Sequence, residues 1–554
     1  MLRLTADATA LATVFDLYPQ RSLLFSAIRL DSHPLVAPLI ASRDDAEQVL
    51  LVRQQEQGNV LSAGVAPERI RFYAPWVTLD PRPVEGVDVA ASLTDLVAQL
   101  SSDGAVTLAA DVVFAHRIAL SERMTVVCEQ SVSRAVQVRE IPVAEVVDRF
   151  AGWREHGATV AADLIADVAH LDGLVDEFGA PETRFARLES IAAESRLDAV
   201  LVAAPPNFSE LTGRAPIPGA LALWSPGAEH VLVIAPADDP DAAEVGNLGA
   251  VIGEYPSVGA AVSALAPGRR VGVEEDFISV GVVGNLEDND IEPISITTEL
   301  GHWRDVRDNE DLPFQVIAAR ATVYAIEEAL SWAAREIGAG AEFTERDIYQ
   351  RYVGFLADFV LDNRIPFGVR PYFTNLHSSN RMLFPGPPVD FPIDQTTTCI
   401  QLDAGVAVVI DGVVVATSDM ARSLPRTESA KEAYEFFFTV VREGIIGQLR
   451  PGVVCEDVHE GTLRFVAPHL DWMVEIGMLG ADTDFDTIYR RRNVGHLMGK
   501  QESFANELRP GYKHALDVGS FGAAEIPWRY DDAAIGTEDL WYIGADRTYI
   551  LSQR

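Results

Sequence analysis

Two segments of the chain match at a constant offset of 165 residues with no gap: "SLTDLVAQLSSDGAVTLAAD" (Ser92 to Asp111) and "SVGAAVSALAPGRRVGVEED" (Ser257 to Asp276). Each reads as an amphipathic helix, a polar turn and a strand that closes on an acid. An apolar run lies upstream of each, "QVLLV" at 48–52 and "HVLVIAP" at 230–236. A Trp-Arg pair lies downstream of each, Trp153-Arg154 and Trp303-Arg304, followed by a long helical pattern. This order predicts two copies of one α/β domain. A chain of 554 residues exceeds a single hydrophobic core. The copies are therefore expected over 1–140 and 181–305, with a helical linker over 141–180. The second opens with "RFARLESIAAESRLDAVLVAAPPNFSELTG", a helix, a strand and a Pro/Asn loop. The first has no clear counterpart of "PPNFSELTG", so it reads as degenerate and structural.

From about residue 310 the texture changes. "FQVIAARATVYAIEEALSWAAREIG" is a long amphipathic helix ended by Gly338, and the next starts at Thr344 with Asp347 three residues on, a capping box. "SAKEAYEFFFTVVREGIIGQLRPG" is a third helix, stopped by Pro451-Gly452. Strand-like segments lie between and after these. Helices interleaved with antiparallel strands predict an α+β domain over 306–554.

The formal net charge of -38 argues against nucleic acid or an anionic membrane as a partner, since both would repel the chain. Lysine occurs only at Lys431, Lys500 and Lys513. Cys128, Cys399 and Cys455 are odd in number and far apart, which fits neither a disulfide framework nor a thiolate metal site. The N-terminus lacks the basic and apolar regions of a signal peptide, and no apolar run is long enough to span a membrane. A reducing cytoplasm is the expected location.

The stretch "CIQLDAGVAVVIDGVVVATSDMAR", Cys399 to Arg422, reads as an apolar hairpin, yet each arm carries an aspartate, Asp403 and Asp419. With Ile410-Asp411-Gly412 as a three-residue turn, the two face each other directly. A strict two-residue turn would put them on opposite faces, so the pairing depends on the turn or on a bulge. Facing carboxylates in an apolar setting share a proton or a cation. The structural alternative has Asp419 capping the arm and pairing with Arg422. Downstream, "NVGHLMGKQESF" sets His496 between glycines, "GAAEIPW" sets Glu525 in a small-residue strand, and "IGTEDLWYI" sets Glu538 before another. Together these supply an imidazole and four carboxylates, a ligand set for two divalent cations that share bridging carboxylates and a water.

The order of these five residues, with "LDAG", "SDMAR", "LRPG", "GH" and "TED", resembles the pita-bread metallohydrolases: Xaa-Pro dipeptidase, aminopeptidase P, methionine aminopeptidase and creatinase. The resemblance covers Val306 to Ser552. The segment 181–300 resembles the creatinase-type N-terminal domain, "WRDVRDNEDL" resembles its junction to the catalytic domain, and the extra first copy is similar to the three-domain aminopeptidase P architecture. The resemblance implies a C-terminal α+β pita-bread catalytic domain preceded by two α/β creatinase-N-like domains. It implies two divalent cations (Mn, Co, Zn or Fe) held by Asp403, Asp419, His496, Glu525 and Glu538, with Asp419 and Glu538 bridging. A bridging hydroxide would attack a peptide or amide carbonyl of a small substrate. Glu525 would shuttle the proton, and His377 in "FTNLHSSN" would contact substrate. A homodimer is expected by the same analogy. The chain departs from the family pattern in a longer step from Asp403 to Asp419, in "GHLMG", in "EIP", and in Ser503, beside Glu502, where the family has a second histidine. Trp528 and Trp541 near the ligand strands either line a pocket or fill the core. Competing readings are a metal-free creatinase-like C–N hydrolase, another reaction on the same scaffold, and a binding module without activity.

Overall fold

The computed structural model describes residues 1–15, 35, 37–43, 48–74, 88–129, 133–179, 183–238, 249–305, 310–379, 381, 386–479, 493–500, 502–526, 528–530 and 533–554. The junction "WRDVRDNEDL" lies partly outside them. The repeat in the sequence is a repeat in structure. One sheet contains β1 (Leu2–Thr5), β2 (Leu39–Arg43), β3 (Val49–Arg53), β4 (Ile70–Tyr73), β5 (Val89–Ala90), β6 (Ala105–Leu108) and β7 (Thr125–Cys128), in the order β5-β4-β3-β2-β1-β6-β7. A second contains β8 (Val136–Pro142), β9 (Ala199–Val202), β10 (Leu221–Trp224), β11 (His230–Pro236), β12 (Ala250–Tyr255), β13 (Arg270–Val273) and β14 (Glu292–Ser295), in the order β12-β8-β11-β10-β9-β13-β14. The runs β3-β2-β1-β6-β7 and β11-β10-β9-β13-β14 agree in order and in direction.

The matched helices are Leu93–Leu100 and Val258–Leu265, and each starts on a serine whose hydroxyl accepts a backbone N–H, Ser92 from Asp95 and Ser257 from Ala260. These serines satisfy one of the unpaired donors at a helix start, which is why they recur. The helix Pro205–Thr212 of "PPNFSELTG" has a topological counterpart, Ala8–Phe15, between β1 and β2. Sequence comparison misses it because the two helices share no pattern. The two copies dock reciprocally: Phe114 N–H donates to Ile278 O at 2.9 Å, and Val280 N–H donates to Val112 O at 2.8 Å. Strand β8, which begins inside the range expected for the first domain, is hydrogen-bonded into the second sheet along its whole length.

The C-terminal region is built on the helices Leu312–Gly338 and Glu345–Asp362, the second of which begins with the capping box Thr344–Asp347. Its strands are β15 (Phe343–Thr344), β16 (Gly368–Ser378), β17 (Pro392–Ile393), β18 (Cys399–Ile410), β19 (Val413–Thr417), β20 (Met420–Pro425), β21 (Gly495–Met498), β22 (Glu502–Glu507), β23 (Phe521–Glu525), β24 (Trp528–Tyr530), β25 (Ala533–Ile535), β26 (Glu538–Ile543) and β27 (Thr548–Ile550). One sheet runs β16-β18-β19, with β20 also on β18, and a second runs β22-β21-β23-β26-β27. Alternation along β18 sends Ile400, Leu402, Ala404, Val406 and Val408 into the core shared with Leu312–Gly338. That core also takes in Val200, Phe208 and Trp224, so the second α/β domain and the C-terminal domain share one hydrophobic interior. The first α/β domain has separate clusters around Leu4 and Leu108 and around Ile40 and Phe72.

Candidate metal centre

The hairpin that carries the two aspartates is not closed by the three-residue turn expected from sequence. Ile410 pairs with Val413, and Asp411 and Gly412 both have positive φ, 51° and 80°, which is the two-residue type I′ form. Alone, that turn would put Asp403 and Asp419 on opposite faces. The register then shifts between Val408 and Val409, where Val415 is the extra residue of a bulge. Beyond it Asp403 pairs with Ala421 and Ala404 with Met420. Asp419 therefore sits diagonally from Asp403 on the same face, not directly opposite.

The other three residues lie on the second sheet. His496 pairs with Ala523 and Glu525 pairs with Glu538, so all three side chains share one face of β21-β23-β26. Asp419, His496 and Glu538 each offer a ligand atom within 4.8 Å of the others. His496 Nε2 is 3.7 Å from Asp419 Oδ2 and 3.9 Å from Glu538 Oε1. Its Nδ1 lies 3.2 Å from Leu497 O, which assigns the proton to Nδ1 and turns the Nε2 lone pair towards the two carboxylates. Asp403 accepts from Asn375 Nδ2 at 3.1 Å across β16. His377 is buried two residues further along β16, opposite Gln401, on the face that carries Asn375.

Glu538 is 2% exposed, and its Oε1 accepts no hydrogen bond. Burial first, and then the charges of Asp419, Glu525 and Asp403, push its pKa well above the ordinary carboxylate range. Glu538 is thus a buried acid that faces a second acid, to which it hydrogen-bonds, and an imidazole. The donor set of oxygens and one neutral nitrogen fits a divalent cation.

Sequence reading missed the brace behind this cluster. Arg422 donates to Glu538 O and to Asp539 Oδ1, both at 2.6 Å, and Arg442 Nε donates to Asp539 Oδ2 at 2.7 Å. Burial opposes the ionisation of Asp539, but the two guanidinium groups outweigh it and hold its carboxyl below the usual range. Ser423 Oγ bonds Gly536 on the same side. Arg422 and Ser423 on β20 thus fix the strand that carries Glu538. The signal available in the sequence was the arginine itself, three residues after Asp419 and the one charged residue of its strand. Trp541 is wholly buried and packs with Leu497 and Ala524, so it fills the core. The side chains of Ser503, Glu502 and Trp528 lie outside the described residues.

Comparison with known proteins agrees with this architecture. The model of the creatinase/prolidase N-terminal domain matches residues 184–306, and that of metallopeptidase family M24 matches 317–543. The chain belongs to the pita-bread metallopeptidases of this family. Among solved structures, the prolidase from Pyrococcus horikoshii superimposes with a TM-score of 0.52 at 16% identity, over 67% of this chain and 98% of that one. The Xaa-Pro dipeptidase from Bacillus anthracis gives 0.51 at 15%, over 67% and 97%. The X-prolyl aminopeptidase from Caenorhabditis elegans, described as cytosolic with a dinuclear active site, gives 0.59 at 11%, over 92% and 79%. At these identities the likeness is one of fold. The longer overlap with the last takes in an N-terminal α/β region beyond the span shared with the prolidase. No curated protein matches the chain by sequence. No described helix is long and apolar enough to cross a membrane.

Proposed function

We propose that this chain is a metal-dependent hydrolase of the Xaa-Pro peptidase type, cleaving a peptide or amide bond of a small substrate. The observation that carries the reading is the convergence of Asp419, His496 and Glu538 within 4.8 Å in a buried setting. Glu525, across the strand pair from Glu538, and Asp403, diagonal to Asp419, extend the set to five ligands for two divalent cations drawn from Mn, Co, Zn or Fe. When bound, the cations acidify a water and polarise the scissile carbonyl. The protein's own groups do the rest. Asp419 and Glu538, on separate sheets, would both hold the cations. Glu525 is less buried than Glu538 and passes a proton to the leaving nitrogen. His377, on the Asn375 face of β16, contacts the substrate. Glu538, Asp419 and His496 are buried, so their charges are screened less than they would be at the surface.

We further propose a homodimer in a reducing cytoplasm, a setting that suits the free Cys128, Cys399 and Cys455. The test is metal analysis after reconstitution, together with turnover of Xaa-Pro dipeptides against other N-acyl compounds. Substoichiometric metal, below about 0.2 equivalents against the two expected of this donor set, would sink the reading. Ser503, standing where the family has a second histidine, favours a second outcome, an amide other than Xaa-Pro on the same centre. Turnover confined to the N-acyl compounds would select it.

A further inference from the structure

One group of buried charges lies outside the two-sheet centre. Lys500, one of three lysines in the chain, is 2% exposed at the turn after β21. Its ammonium pairs with Glu210 of the helix Pro205–Thr212, and both side chains are fully buried. The other Glu210 oxygen takes Arg184 Nε, and Arg184 Nη2 lies 3.7 Å from Glu310 Oε2. The Phe150 ring carries both cations, with Arg184 Cζ at 3.7 Å and Lys500 Nζ at 4.5 Å from its centroid. This seam joins the second α/β domain to the catalytic domain. A buried ion pair gives little net stability over an apolar pair of the same volume, but it tolerates only one register.

The same turn touches the metal centre from its other side. Gly499 O accepts from Thr417 N at 3.0 Å and from Thr417 Oγ1 at 3.1 Å. Thr417 lies two residues before Asp419, and β21 carries His496. Three parts therefore meet at Gly499-Lys500: the strand leading to Asp419, the strand bearing His496, and the α/β domain. We propose that Lys500 and Glu210 are positioning residues, an interdomain ion pair that sets the register of the His496 strand against the Asp419 strand. On this view the ligand geometry depends on the docking of the α/β domain. The inference rests on the metal reading above.

The test uses the full chain with Lys500→Met, Glu210→Gln and the double variant. Each is titrated with Co(II) and read by visible absorption, and its melting midpoint is measured separately. The expected result is cobalt binding weaker by on the order of tenfold, with an altered spectrum, in both single variants. In the double variant, which removes both charges of the pair and leaves Arg184 to Glu310, the melting midpoint returns towards wild type while cobalt binding stays weak. Cobalt binding that recovers together with stability in the double variant overturns the proposal, because the pair would then be merely structural. Unchanged cobalt binding in all three variants also overturns it. If Lys500→Met does not fold, Glu210→Gln, which keeps a neutral hydrogen-bonding group, decides alone by the same readout. Wild-type protein that takes up no cobalt would sink the metal reading and this inference with it, an outcome distinct from cobalt uptake that the variants leave untouched.

Discussion

In the proposed centre, folding and metal binding pull in opposite directions at Glu538, and Glu538→Gln separates them. The side chain is buried, and a ligand oxygen of Asp419 lies within 4.8 Å of one of its own. Two carboxylates at that separation repel by roughly 3 kcal/mol at an effective dielectric of about 20. Burial and the neighbouring acids Asp419, Glu525 and Asp403 raise the folded pKa well above the unfolded one. The metal-free fold therefore binds more protons than the unfolded chain between those two values. Its stability is fully present below the unfolded pKa and falls as pH rises towards the folded pKa. Glutamine keeps the shape and removes the charge. In EDTA at about pH 8, Glu538→Gln should be more stable than wild type by on the order of 2–3 kcal/mol, and the gap should close towards about pH 4. With manganese or cobalt at about 1,000 times Kd the order reverses, because wild type gains about 4.1 kcal/mol and the variant gains little. Urea unfolding followed by circular dichroism, with and without metal at both pH values, measures all four quantities. A variant less stable than wild type in EDTA at the higher pH, or a gap that ignores pH, would refute the account of this cluster.

Other substitutions test neighbouring parts of the same argument. Asp403→Asn keeps an acceptor for Asn375 and should retain the melting midpoint while kcat falls by at least about 100-fold; retained turnover would make the hairpin acids structural. A Cβ on Gly522 would lie 2.4 Å from His496 O and 2.5 Å from the Trp541 ring, so Gly522→Ala should force β21 away from β23. It should cost about 1–3 kcal/mol in urea unfolding and shift the cobalt spectrum. Burial, followed by the charges of Glu275 and Glu274, pushes Asp276 up to about 7. Ionising it is a penalty on the fold that is absent below about pH 4 and complete above about pH 8, so Asp276→Asn should stabilise by on the order of 4 kcal/mol at the higher pH and be neutral at the lower. Melting curves across that range check it.

The repeat was legible because capping serines and a helix-turn-strand order survive at constant spacing, and the Thr344–Asp347 box was legible because its chemistry is local. The hairpin register was not. "VAVVIDGVVVAT" is apolar on both faces, so alternation gives no signal for where the bulge falls, and a one-residue slip decides which face Asp419 takes. Asp419, His496 and Glu538 lie far apart in the chain, and only their order, matched to a family, suggested that they meet. The Lys500–Glu210 pair spans almost 300 residues and left only compositional traces, a rare lysine and the lone charged residue of a short helix.

Arg422 shows most directly why the acids in the hairpin are not a local feature. Three residues from Asp419, it was the natural partner for a structural aspartate, and that pairing would have removed the reason for a cation. The structure gives Arg422 to Asp539 and to the backbone of Glu538 instead. Asp539 and Glu538 are adjacent in one strand and point to opposite faces. The arginine neutralises the acid on one face, and by holding that strand it fixes the acid on the other face opposite Asp419. Arg422 thus braces the strand without pairing with Asp419, which leaves the Asp419 carboxylate facing His496 and Glu538, where a salt bridge to Arg422 would have removed it from a cation's reach.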